Sequence, residues 1–217
     1  MHASGGPSVK QLILVPALIT LGVTVLRLVG ELQNWNPIFF NRSPGGGGAI
    51  VGISWLVIVF GAYFALRLVG AGQGPSGAGR AIGFAALGLL VAIAIGFAGA
   101  ALIANPAVQI WAFVVGSVLA VPVAFRGWPA LAKTLLAYAL AARIPVALVM
   151  LFAIMGDWGT HYDAPPPNFP PTSPIVEWLL TGLVPQLTIW IYVTVVGGMV
   201  VGGIAAALAR RRSPAPA

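Results

Sequence analysis

Residues 81–104 read AIGFAALGLLVAIAIGFAGAALIA, with no charged or strongly polar side chain anywhere in the run. Such a stretch has no face to offer water. It is long enough to cross a bilayer, which takes roughly 20 apolar residues in helical form. In lipid the backbone must satisfy its own hydrogen bonds, and a helix does so within one segment. Comparable runs cover 11–33, 48–69, 106–125, 130–155 and 184–209. The sequence therefore predicts an all-α integral membrane protein: one bundle of six transmembrane helices spanning 1–217, with no separate soluble domain. Composition points the same way, at 59% hydrophobic and 7% charged, where soluble domains carry about 25% charged residues. The first run is as long as a full span and no small-x-small cleavage site closes it, so it reads as a helix and not as a signal peptide.

The apolar region 175–209 is too long for one upright helix. Pro185 lacks a donor N–H and clashes with the preceding turn. The expectation is a short interfacial helix over 175–183, followed by the last span. Pro122 and Pro145 are expected to kink their spans. The glycines at 45–48 lack the Lys-Ser/Thr sequel of a phosphate cradle and read as a flexible lead-in to the second span.

The net charge of +7 does not indicate nucleic acid as a partner, because the basic residues stand singly between apolar runs rather than on one face. Counted along six spans, Lys10, Arg67, Arg80, Arg126, Lys133 and Arg210 to Arg212 fall on the side of the two termini. The opposite loops hold Arg42 alone. Positive charge concentrates on the cytoplasmic side, so both termini are expected there, in a bacterial inner membrane. The outer side then carries long loops at 34–48 and 156–174 and a tight turn at 105–106. The chain has no cysteine, which excludes disulfides and thiolate chemistry.

Three charges sit inside predicted spans away from the inner surface: Arg27, Glu31 and Arg143. Ionisable groups in a bilayer are costly and are usually paired or placed along a polar cavity. Arg27 and Glu31 are four apart, on one helix face. At 1.5 Å per residue, Arg27 lies roughly 24 Å and Arg143 roughly 20 Å from the cytoplasmic ends of their spans. Gln186 opens the last span on the same side. These residues predict a polar pocket open to the outside, lined by Arg27, Glu31, Arg143 and Gln186. Its net positive charge suits a small anionic or lipid-like ligand. The competing structural reading pairs Arg27 with Glu31 alone and turns Arg143 toward carbonyls freed by Pro145.

The loop GDWGTHYDAPPPNFPP at 156–171 is the most polar part of the chain. Asp157, His161 and Asp163 are expected to form a cap above the pocket, with His161 bonded to Asp157, Asp163 or backbone. One histidine and two carboxylates fall short of the three or four converging ligands of a metal site. HExxH and GxSxG patterns are absent, and neither a catalytic residue nor a cofactor is assigned. The aromatics Trp35, Phe39, Phe40, Trp158, Tyr162, Phe169 and Trp178 are expected at headgroup level, and the prolines stiffen the loop. Small residues at Gly88, Ala92, Gly96, Ala100 and Ala104, and at Gly198 and Gly202, mark close helix packing. That packing is either internal or a homo-oligomer or membrane-complex interface. Three functions follow: binding or transport of a small anionic or amphiphilic molecule, a non-catalytic accessory subunit, or a membrane enzyme working at the outer loop.

Overall fold

The structure, a computed structural model, describes residues 6–46, 48–104, 106–167 and 169–212. Gly47, Asn105 and Asn168 lie outside the described residues, and with them the middle of the glycine run and of the expected turn at 105–106. The described residues are helical, with no strand among them. The helices are α1 (Val9–Leu32), α2 (Leu56–Gly70), α3 (Ala78–Leu102), α4 (Pro106–Phe125), α5 (Pro129–Gly156) and α6 (Pro174–Arg210). Four of them, α1, α3, α5 and α6, are long and apolar enough to cross a membrane, and α2 and α4 are shorter apolar helices. This is the make-up of a helical membrane protein. Its outward surface is apolar, as lipid requires: Leu14, Leu18, Val25, Leu90, Phe97 and Phe152 are all exposed.

Small residues bring the helices together. The buried positions of α3 are Ala81, Ala85, Gly88, Ala92, Gly96 and Gly99. They follow the 3.6-residue turn, so Ala100, on a strict four-residue spacing, has drifted to the exposed side, and Ala104 lies beyond the end of the helix. A Cβ on Gly88 would stand 3.0 Å from the Ala120 carbonyl oxygen of α4, and one on Gly96 would strike the Phe113 ring. The glycines of α6 serve the same end. Gly198 and Gly202 lie against Leu135, Leu131 and Ala65, and Gly61 of α2 meets the Gly198 backbone. Both small-residue stripes are thus occupied by helices of the same chain. Between α1, α2 and α5, Tyr138 packs edge-on to Phe60 and Phe64, with ring centroids 5.4 Å apart in each case. Its hydroxyl meets that of Thr20 at 2.7 Å. Thr20 spends its only proton on the Pro16 carbonyl, so Tyr138 is the donor of the bond that joins α1 to α5.

Two boundaries differ from the sequence reading. Span two was expected from residue 48, but α2 begins at Leu56. In the lead-in the Val51 carbonyl is taken by Arg27, and the N–H groups of Ile50 and Val51 go to the carbonyls of Ile38 and Phe39. The break in the last apolar region also lies elsewhere. Pro185 does not separate an interfacial helix from a span. Residues 178–183 form a wide π turn, and the Val184 N–H still reaches the Leu179 carbonyl, so the extra residue absorbs the missing N–H of Pro185. The distortion falls at Thr188, which has φ −125° and ψ −74°. Thr181, Thr188 and Thr194 each return a hydroxyl to the carbonyl four residues back, a habit that bends helices.

The Gly61 contact can be tested directly. Gly61→Val is expected to force α2 away from α6 and to destabilise the protein by about 1–3 kcal/mol, the usual range for overpacking. Gly83→Val, at a position with open space around it, should leave the thermal unfolding midpoint in detergent near that of the wild type.

Candidate functional site

Both long loops converge on the end of α1 that carries Arg27 and Glu31. Arg27 is the centre of the first loop. Its Nε donates to Glu31 Oε1 at 2.7 Å, its Nη1 to the Val51 carbonyl at 3.0 Å, and its Nη2 to the carbonyls of Asn41 at 3.0 Å and Gly46 at 2.9 Å. The carbonyls of Asn41, Gly46 and Val51 are thereby gathered around one guanidinium. Glycine is needed at 46, where φ is +82° and a Cβ would lie 2.8 Å from Nη2. An L side chain would meet both strain and a clash there. Arg42 adds a bond from its own guanidinium to the Glu31 carbonyl.

Glu31 has no exposed surface. Oε1 takes Arg27, Oε2 accepts from the His161 backbone N–H at 2.8 Å, and His161 Nδ1 lies across both oxygens, 2.6 Å from Oε1 and 2.8 Å from Oε2. A carboxylate only accepts, so Nδ1 carries the hydrogen in this contact. The partner of His161 is therefore neither Asp157 nor Asp163, as local spacing suggested, but a residue 130 positions away. Asp163 instead folds its own turn, accepting from the backbone N–H groups of Gly159 and Thr160, both at 2.7 Å. Asp157 terminates α5 with a left-handed φ of 48° and lies exposed. Among the described residues, no three of His, Asp and Glu gather into a metal-binding group.

Tyr162 also departs from expectation. It is buried among protein side chains and not displayed on the surface. Its ring lies 3.9 Å from that of His161, and its hydroxyl donates to the Thr24 carbonyl. Burial pushes the phenol above its ordinary pKa, which keeps it a neutral donor. Its ring belongs to a small apolar cluster with Val146 and Ala153 of α5. The local signal was the pattern His-Tyr-Asp in a Gly/Pro-rich turn, which does not distinguish an inserted tyrosine from an interfacial one.

Beneath the loops is a cavity of about 410 Å³. Arg27, Arg143, His161, Tyr162, Gln186 and Trp190 bound it, together with apolar Val23, Ile53, Val146 and Met150. Glu31 is not among its lining residues, since its carboxylate is enclosed by its partners. The structure thus brings Arg27, Arg143 and Gln186 to one space. Arg143 is the least satisfied of them. It is 4% exposed and its guanidinium lies over the Trp190 ring at 4.5 Å. Its one hydrogen bond among the described residues runs from Nη1 to Gln186 Oε1 at a long 3.5 Å. Its Nε is buried without any partner. The carbonyls near Pro145 do not take it up. The bent region of α6 supplies both Gln186 and Trp190, so the π turn and the distortion at Thr188 are what aim these side chains at Arg143.

Comparison of the chain with family models, with curated proteins and with solved structures finds no match.

Removing the carboxylate is expected to release the loops. Glu31→Gln leaves Arg27 without its charge partner, a change that in buried pairs destabilises by about 3–5 kcal/mol. Hydrogen–deuterium exchange should then speed up in both loops. His161→Ala should speed exchange in residues 157–167 while the loop around Arg27 stays protected. Unchanged exchange in Glu31→Gln would show that the carboxylate does not hold them.

Proposed function

We propose that this chain is a six-span inner-membrane protein, with both termini cytoplasmic, that binds or passes a small anionic or amphiphilic molecule through the cavity beneath its outer loops. Arg143 carries the reading. A buried guanidinium in a membrane protein is ordinarily matched by a carboxylate or by carbonyls, but among the described residues no carboxylate pairs with Arg143, and Glu31 is committed to Arg27 and His161. The cavity is left with one unmatched positive charge among apolar walls, and its size lies at the small end of the ~300–1,000 Å³ range of ligand pockets. The accessory-subunit reading drew on the small-residue stripes of α3 and α6, and helices of the same chain already occupy these.

The orientation is supported by Arg67, Arg80 and Lys133, which lie toward the ends of their helices remote from the two loops. It can be tested on the native background, which has no cysteine to remove. Single cysteines at Asn36 and Trp158 are expected to react with a membrane-impermeant maleimide in intact cells, and one at Ser76 only after permeabilisation. The reverse pattern would overturn the topology.

Binding is tested by native mass spectrometry of the protein released from detergent micelles. Wild type is expected to carry a small co-purified mass that Arg143→Met loses while retaining its helical circular dichroism. Equal adducts on both proteins would remove Arg143 from the site.

A further inference from the structure

We propose that the ligand class of this cavity is the amphiphilic monocarboxylate, held side-on by Nε and Nη2 of Arg143. The proposal rests on the reading of the cavity as a binding site and adds the chemistry of what it binds.

The first argument is the set of donors left over. A guanidinium presents its five N–H groups in a plane, and the Nε and Nη2 hydrogens point the same way along one edge. Such an edge matches the two oxygens of a carboxylate, in a pair of parallel charge-assisted bonds. In Arg143 one of the five N–H groups is taken, and the Nε–Nη2 edge is the one with no partner on either nitrogen among the described residues. Trp190 covers one face at 4.5 Å. Nη1 is turned to Gln186. Nε has no partner although it is buried, and Nη2 makes no hydrogen bond among the described residues. Arg27 differs in each respect: its Nε and both Nη groups are engaged by Glu31 and three carbonyls. The two arginines border the same cavity, and only one keeps an open edge.

The second argument is charge. Arg27 is paired with Glu31, and among the arginines of the cavity the charge of Arg143 is the one that no carboxylate meets. A monoanion neutralises it. A phosphate monoester carries about −1.5 to −2 at pH 7 and would bury excess negative charge beside Glu31. The third argument is the wall. Val23, Ile53, Val146 and Met150 line the same space, so an alkyl or aryl tail finds apolar surface where a small hydrophilic acid would lose hydration without return.

Isothermal titration of the full chain in nanodiscs, with empty nanodiscs as the blank, tests this with three probes of one tail length: hexanoate, hexanamide and hexyl phosphate. Hexanoate is expected to bind at one site per chain, at least tenfold tighter than hexanamide and tighter than hexyl phosphate. Arg143→Lys keeps the charge but loses the fork, and should weaken hexanoate tenfold or more. If that variant does not fold, the ranking on wild type decides alone. Equal or tighter binding of hexanamide or hexyl phosphate overturns the carboxylate assignment and leaves the cavity reading standing, as does unchanged hexanoate affinity in a folded Arg143→Lys. If no probe binds but wild type still carries a co-purified mass, the carboxylate assignment alone is overturned. If neither is seen, the cavity reading falls with it.

Discussion

A carboxylate with no exposed surface persists in an apolar bundle only if every lone pair that matters is met, and Glu31 meets this condition by drawing in partners from its own helix and from the second long loop. Arg27 comes from its own helix one turn back. The His161 backbone and ring come from the second long loop, and Arg42 of the first loop reaches the Glu31 carbonyl. Through Arg27 the same carboxylate orders the chain between α1 and α2, where the guanidinium collects the carbonyls of Asn41, Gly46 and Val51. Two loops rich in glycine and proline, which by composition could lie anywhere on the surface, are thereby fixed over one end of the bundle. The roof of the cavity follows from that ion cluster, and Tyr162, adjacent to His161 in the chain, is seated between α1 and α5 as a consequence.

The division of work between the two buried arginines follows. Arg27 is spent on architecture, with Glu31 as counter-charge and backbone as the remaining acceptors. Arg143 stands across the same space with an aromatic face, one long bond to an amide and an unpartnered Nε. Burying an unpaired polar group lowers stability, and a packed structural role offers no return for that. The irregular course of α6 belongs to the same design. A wide turn at 178–183 and the distortion at Thr188 depart from regular helix where Gln186 and Trp190 face Arg143, and such departures gather at functional positions.

The parts of the site legible in the sequence were those set by helix geometry. Spacing of four put Arg27 with Glu31 on one face, and a rise of 1.5 Å per residue put Arg27 and Arg143 at similar depth. The loop contacts were not legible. His161 was read against its near neighbours Asp157 and Asp163, whereas Asp163 serves the backbone of its own turn and His161 crosses to Glu31. Tyr162 resembled its neighbours in an aromatic belt and is instead part of the interior. The lead-in at 48–55 is apolar enough to read as helix, and in the structure its Val51 carbonyl goes to Arg27 and its Ile50 and Val51 N–H groups to the carbonyls of Ile38 and Phe39.

What the amino-acid sequence determined alone is the solvent and the helical class. Apolar runs with almost no charge leave lipid as the surrounding medium, and lipid leaves helix as the way to satisfy a crossing backbone. Small residues at near-helical spacing also set where helices approach closely. What only the tertiary structure decided is which charge is satisfied by what. The acceptors in this site include the backbone carbonyls of Thr24, Glu31, Asn41, Gly46 and Val51 and a carboxylate far along the chain from His161, and a carbonyl has no sequence signature. The contrast between a saturated Arg27 and an open Arg143 therefore appears only once the loops are folded onto the bundle.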